Sequence, residues 1–484
     1  MRLNPSLLKL YRTPLFIILA SVLFYISFGY DLVRTDYFKL ITLYTALFYL
    51  FYKLVTLLKT HYQLLIWVAF IFRAVFILAI PNLSQDFYRF IWDGRMILEG
   101  FNPYLFTVES FINSGEFPVA QTQELYAGMG ALNGSHFTNY PPINQLCFTI
   151  AALFASKSIL GSVVVMRMII IAADFGILYF GKKLLERLNI PVHNIFWFIL
   201  NPFIIIELTG NLHFEGVMIF FLVWSFYLLH RGKWQWAAVV LTLSISVKLI
   251  PLIFLPLFFQ WFTKQNGIAT KTKPSAKKDG LALSLTPRHD LMHRIAKLVG
   301  FYIIVGLTTI FLFAPFYSSA FINNYTETVG LWFTNFEFNA SLYYVAREIG
   351  YLFRGYNEIA IIGEIMSLLA VIFILTLSFF RKNTTLKALI SGMLLVLTFY
   401  YFTATTVHPW YIATLLILSV FTRYKFPLVW SFVIILSYLT YSNTDNSENL
   451  YIILIEYVIV YGVFFWEIFF KNKGDLFCKD KKLK

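Results

Sequence analysis

Charged side chains are scarce. Asp, Glu, Lys and Arg make up 13% of the 484 residues, while 59% are hydrophobic; an ordinary soluble domain carries roughly 25% charged residues. So apolar a chain cannot hide its surface in water, and a soluble globular domain is excluded. Cysteine is rarer still. Cys147 lies in an apolar segment and Cys478 in a basic tail, so no disulfide is expected. No small-residue cleavage site follows the first apolar run, Thr13 to Phe28, which trails Arg2, Lys9 and Arg12. That run reads as a signal anchor rather than a removed leader. No internal repeat is evident, so the inverted-repeat signature of many transporters is missing. A basic surface helix with interleaved aromatics is also absent. The net charge of +14 therefore does not indicate a nucleic-acid partner. Its Lys and Arg sit mainly in short loops and at the termini, which is the positive-inside pattern.

What is present is apolar length. Crossing a hydrocarbon core of about 30 Å takes roughly 20 apolar residues at about 1.5 Å each. Such stretches fall near 14–30, 40–58, 62–80, 160–181, 193–209, 213–230, 298–316, 358–380, 385–403, 407–422, 427–442 and 450–470. Lipid offers backbone groups no partners, so these must be helices. The expected fold is an all-α polytopic membrane protein of about 12–14 transmembrane helices. Segments 142–157 and 235–262 stay open: each is compatible with a full span, a re-entrant piece or a hairpin of half-helices. The first begins at Pro141-Pro142, and the second is interrupted by Lys248, Pro251 and Pro256.

Charge orients the chain. The basic N-terminus goes inside, which puts loop 81–141 outside; the basic segment 264–297 goes inside, loop 317–357 outside, and the basic tail 471–484 inside. If neither ambiguous segment crosses, Lys182, Lys183 and Arg187 also fall inside. If both cross once, those three lie outside. The chain divides into anchor spans 1–61, a module 62–263, the basic linker 264–297, a second module 298–470 and the tail.

Long ordered loops are commonly functional, and loop 81–141 is the more informative. From Asp86 the spacing predicts a helix. Phe87, Phe90, Ile91, Gly94, Ile97 and Leu98 form an apolar stripe, and Gly100-Phe101-Asn102-Pro103-Tyr104 ends it. The pattern fits an amphipathic helix lying at the membrane surface, apolar side down. Asp86 could be simply its N-cap or a partner of Arg89; Asp93 fits an Arg partner, and Arg95 with Glu99 an i, i+4 ion pair. A second polar-to-apolar transition comes at His136 to Pro142.

Asp86, Arg95, Gly100, Pro103 and Tyr104, closed by Tyr140-Pro141-Pro142, resemble the first external loop of GT-C glycosyltransferases. The resemblance continues through Arg167 and Asp174, Asn201-Pro202, Gly210 to Gly216, and Lys248-Leu249-Ile250-Pro251, covering about residues 62–262. Asn339 to Leu342 and His408 to Tyr411 are weaker echoes. The pattern is most similar to the GPI mannosyltransferase catalytic subunits and the bacterial polyprenol-phosphate-mannose enzymes. Dolichyl-phosphate-glucose-dependent glucosyltransferases share the layout more distantly. The resemblance implies a GT-C-like bundle, a polyprenyl-phosphate-sugar donor, a glycan or glycolipid acceptor, and Asp86 as catalytic acid–base. It does not imply a firm metal. The GPI enzymes carry two acids one residue apart, and Ser84 stands at the first of those positions here. A divalent metal thus stays an open cofactor question.

The chemistry needs few groups. A carboxylate within hydrogen-bond reach can take the acceptor hydroxyl's proton, and direct displacement inverts the anomeric centre. The phosphate needs cationic or hydrogen-bonding partners, for which Arg89, Asp93, Arg95, His213, Lys248 and His408 are the candidate donor- or substrate-binding residues. Lys248 stands out, because a lysine in an apolar stretch is costly; its plain alternative is a pair with Glu207 or Asp174. His213 and Glu215 point to opposite sides of a helix and make poor joint metal ligands. Arg167 and Asp174 read as a structural contact. A multi-pass transporter or flippase is the competing class, and a polysaccharide polymerase or ligase a third. Sequons at Asn82, Asn133, Asn324 and Asn339 and the terminal Lys481-Lys482-Leu483-Lys484 fit an endoplasmic-reticulum protein, whereas the compact architecture fits a bacterial inner membrane.

Overall fold

The computed structural model describes residues 5–264, 287–443 and 445–471. Most of the basic linker and the basic tail, with Cys478 and the terminal lysines, lie outside the described residues. The described chain is helical throughout, with one isolated bridge between Phe338 and Thr406. It is a polytopic all-α membrane protein. Three helices open it: α1 (Pro5–Tyr30), α2 (Tyr37–Leu57) and α3 (Tyr62–Ala74). Loop 81–141 folds into α4 (Asp86–Leu98), α5 (Val108–Ser114) and α6 (Thr122–Gly134). Then follow α7 (Pro142–Ala155), α8 (Ile159–Arg187), the short α9 (Phe196–Ile199) and α10 (Pro202–Ile204), α11 (Glu215–His230), α12 (Trp234–Ile245) and α13 (Phe258–Thr263). The second half comprises α14 (Pro287–Phe313), α15 (Ser319–Thr334), α16 (Leu342–Arg354), α17 (Ile359–Phe380), α18 (Leu386–Thr403), α19 (Ile412–Val420), α20 (Phe426–Val433) and α21 (Leu450–Trp466).

Among the described residues, seven helices are long and apolar enough to cross a membrane, or eight if the bent pair Val192–Ile199 and Pro202–Gly210 is one span. The rest of the apolar length lies in shorter helices. The breaks have local causes. At Asn201-Pro202 the proline has no N–H to donate. The Phe203 N–H turns to the Asn201 side chain at 2.9 Å, leaving the Ile199 carbonyl without its helical donor. Arg73, at the end of α3, supplies that donor at 2.8 Å and ion-pairs with Asp174 of α8 at 2.6 Å. Arg167 instead binds the carbonyls of Ile77, Thr209 and Gly210. The expected contact between Arg167 and Asp174 does not form; each has separate partners.

Segment 235–262 is a hairpin. The ring of Trp234, where α12 begins, lies 6.3 Å from that of Phe262, near the end of α13. Both arms pack on α14: a Cβ on Gly300 would meet Trp234 at 3.1 Å, Phe258 lies 4.8 Å from Phe301, and Tyr302 Oη donates to the Leu255 carbonyl. The chain reverses at Ser246–Leu249, and Pro251 cannot continue α12's ladder. The tip is held by α7. The Ile143 and Asn144 N–H groups donate to the Ser246 carbonyl at 2.9 and 3.3 Å, so a helix N-terminus meets a helix C-terminus and the end charges match. A hairpin that returns to its starting side supports the count that leaves Lys182, Lys183 and Arg187 inside. The 14 residues of α7 extend only about 21 Å, short of a full crossing.

Helix α4 forms where the spacing places it, with a different environment. It is not a surface helix with a wetted polar face. Nine of its 13 residues are buried, Arg89 and Asp93 among them, beneath α6 and against α7. Gly94 is the point of closest approach: a Cβ there would sit 2.2 Å from the Phe148 carbonyl oxygen. Backbone cannot yield as a side chain can. Gly94→Ala should therefore lower stability by about 1–3 kcal/mol, visible as a lower Tm of the detergent-solubilised protein. An unchanged Tm would mean that α4 and α7 separate freely.

Candidate active site

An aromatic knot sets the site's frame. Phe90 of α4 stacks on Phe148 of α7 at 4.6 Å, and Phe214 meets both edge-on at 5.7 and 5.2 Å. The packing that seats α4 thus also fixes the residues flanking Phe214, namely His213 and Glu215. Asp86 begins α4, its N–H directed at Ser84 Oγ. Its carboxyl faces Lys248, Glu215 and Arg34, and burial pushes its pKa up to about 6, with Lys248 and Arg34 pulling down and Glu215 pushing up. It also faces the rings of Tyr140, Tyr411 and Tyr441.

Lys248 sits at the hairpin tip, 20% exposed. Its Nζ lies 3.1 Å from Glu215 Oε1 and 5.5 Å above the Tyr140 ring. Neither Glu207 nor Asp174 is its partner. The second oxygen of Glu215 is buried with no hydrogen-bond partner. Tyr140 is held in turn by Tyr104, whose hydroxyl donates to the Tyr140 carbonyl at 2.6 Å. Pro141 and Pro142 start α7 there, so the loop-closing segment carries a ring to the lysine.

The second half of the chain completes the cluster. His213 and His408 both stack on Trp410, at 3.7 and 4.6 Å. Both are buried or nearly so, and His213 Nε2 lies 3.8 Å from Glu207. The Phe338–Thr406 bridge, with Phe338 N–H to Thr405 O and Val407 N–H to Phe338 O, fixes the backbone entering His408. Loop 81–141 and the 316–325 segment are bonded together: Asn102 to the Phe316 carbonyl, Asn324 to the Tyr104 carbonyl, and Tyr325 to the Asn139 carbonyl. A small cavity of about 40 Å³ is lined by Gly363 and Ser367 of α17, Thr403, Thr406 and Tyr411.

Asp86, His213, Lys248, His408 and Tyr140 therefore gather in one place. The other three candidates hold the loop together. Arg89 ion-pairs with Asp93 at 2.8 Å and donates to the carbonyls of Asn133 and His136. Asp93 also accepts from Thr138 and Gln145. Arg95 binds the Ala120 carbonyl and the Gln121 side chain rather than Glu99. Asn339, in the weaker echo, is bound by Glu448 and Glu456.

Sequence reading missed Glu215 as a site residue, although an acid beside His213 at a span end was a usable signal. Arg34, in a short loop, gave none; it lies 4.2 Å over the Tyr441 ring. No group of three or more His, Cys, Asp and Glu that could hold a metal ion forms among the described residues. With Ser84 where a second acid would stand, the two carboxylates nearest Lys248 are Asp86 and Glu215.

A family model described as "Alpha-(1->6)-mannopyranosyltransferase, N-terminal domain" matches residues 15–264, just over half of the chain. The chain is also similar to the Alpha-(1->6)-mannopyranosyltransferase A of Mycobacterium tuberculosis (strain ATCC 25618 / H37Rv), 21% identical over 192 residues, which are 40% of this chain and 35% of that protein. The match thus spans about a third of that relative's length. Asp86, His213, Glu215 and Lys248 fall inside the family match and His408 outside it.

Proposed function

The chain belongs to the Alpha-(1->6)-mannopyranosyltransferase family, and from this we propose that it transfers mannose from a polyprenyl-phosphate-linked donor to a glycan or glycolipid acceptor on the external face of the membrane, with Asp86 as general base. The observation that carries the reading is the meeting of Asp86 with Lys248 at one end of the bundle, beside two interlocked loops. Asp86 takes the proton of the attacking acceptor hydroxyl. The acceptor oxygen bonds to the anomeric carbon as the carbon–oxygen bond to the phosphate breaks. Lys248, with His213 and His408 alongside, takes up the charge left on the phosphate. One displacement inverts the centre, so an α-linked product requires a β-linked donor. The loops suit an acceptor arriving from outside. The mycobacterial relative supports a bacterial inner membrane as the setting.

The test is transfer by purified protein in lipid, with labelled polyprenyl-phosphate-mannose and candidate glycan acceptors. A new α-mannosyl linkage formed from the lipid-linked donor, and not from a nucleotide sugar, is the expected result. Use of a nucleotide sugar alone would overturn the donor assignment. Movement of the lipid-linked sugar across the bilayer without transfer would favour a flippase.

A further inference from the structure

The site has two electrostatic demands that conflict. A departing phosphate needs a cation beside it. A general base beside the same cation loses proton affinity, because a nearby positive charge favours the ionised carboxylate. Lys248 stands close enough to Asp86 to impose that loss. Glu215 is placed to resolve the conflict. It begins α11, is seated by the aromatic knot through Phe214, and puts Oε1 3.1 Å from Lys248 Nζ. Its other oxygen is buried without a hydrogen-bond partner. A buried carboxylate with one oxygen left over is expensive, and a plain ion pair would have no reason to keep it.

We propose that Glu215 is a positioning residue of the transfer reaction: it holds Lys248 at the hairpin tip for the donor phosphate and offsets the lysine's charge at Asp86, so that the base keeps its strength. This rests on the proposed mannosyl transfer. Glu215 stays outside the bond-making step, and no proton passes to it. The groups facing Asp86 are Lys248 of the hairpin, Glu215 of α11, Arg34 of the α1–α2 loop, and the rings of Tyr140, Tyr411 and Tyr441. Glu215 is the acid among them.

The signs follow. Removing the negative charge at 215 leaves Lys248 uncompensated, so Asp86 becomes a weaker base and ionises at lower pH. Removing the positive charge at 248 does the reverse. The experiment measures kcat and donor KM against pH for wild type, Glu215→Gln, Glu215→Asp and Lys248→Met in reconstituted protein. Glu215→Gln should move the acid limb of kcat down by roughly one pH unit and lower its plateau severalfold. Lys248→Met should move the limb up and raise donor KM. Glu215→Asp should restore most of the wild-type limb, which a merely structural role would not predict. A limb that stays in place in Glu215→Gln would overturn the proposal. So would a loss as deep as that of Asp86→Asn, which would make Glu215 the base itself. If wild type transfers nothing, it is the transferase reading that fails.

Discussion

Asp86→Asn should lower transfer by about 10²–10⁴-fold and leave the fold intact. Asparagine keeps the shape of the side chain but cannot accept the acceptor's proton. Asp86 joins no ion pair among the described residues, so its charge is not needed to hold α4. The aromatic knot and the Gly94 contact do that. The pH dependence adds a second readout. The base must be ionised to act, and burial holds its pKa at about 6. Wild-type kcat/KM should therefore rise with pH through about 6 and level off above it. Steady-state rates of wild type and variant, with Tm measured in parallel, decide the matter. Full activity in a folded Asp86→Asn protein would move the base elsewhere, and Glu215 is the next carboxylate in reach.

Arg73→Leu should have the largest effect on stability. Arg73 and Asp174 are both fully buried, 2.6 Å apart. Removing one partner strands the other charge away from water, which costs roughly 3–5 kcal/mol. The double substitution Arg73→Leu with Asp174→Leu removes both charges and should recover most of that loss. It should not recover all of it, because Arg73 also satisfies the Ile199 carbonyl freed at the Asn201-Pro202 break. Thermal unfolding in detergent of the two single variants and the double variant forms the cycle. If the losses of the single variants simply add, the pair is not coupled.

The fold class was legible because apolar length is a direct signal of a membrane span; Asp86 was singled out by the GT-C resemblance, since spacing alone fits a helix N-cap equally well. Lys248 stood out as an ammonium in an apolar stretch. What sequence could not give was the partner of each charge. Arg89, Asp93 and Arg95 looked exposed because an isolated amphipathic helix has a wet face. Here α6 covers that face, and Ala120, Gln121 and the 133–145 segment use up those groups. Glu215 looked unrelated to Lys248 because 33 residues separate them; only the reversal at the hairpin tip brings them to 3.1 Å. That reversal was one of three readings left open, since prolines mark a break without giving its direction. His408 and Trp410 meet His213 through packing between the two halves, which periodicity along one helix does not report.

Synthesis runs from the N-terminus, so the arms Trp234–Ile245 and Ile250–Thr263 leave the ribosome before the helix they lean on. Each arm is shorter than a membrane crossing, and both rest on Gly300, Phe301 and Tyr302. Until that stretch of α14 has been made, only α7 at the turn and the earlier helices hold the two arms. Asp86, Tyr140 and the first-loop helices are in place well before then. The first-loop end of the proposed site is thus set early, and the hairpin that carries Lys248 gains its full packing late. A nascent chain halted within the linker would carry both arms of the hairpin without the helix that they share.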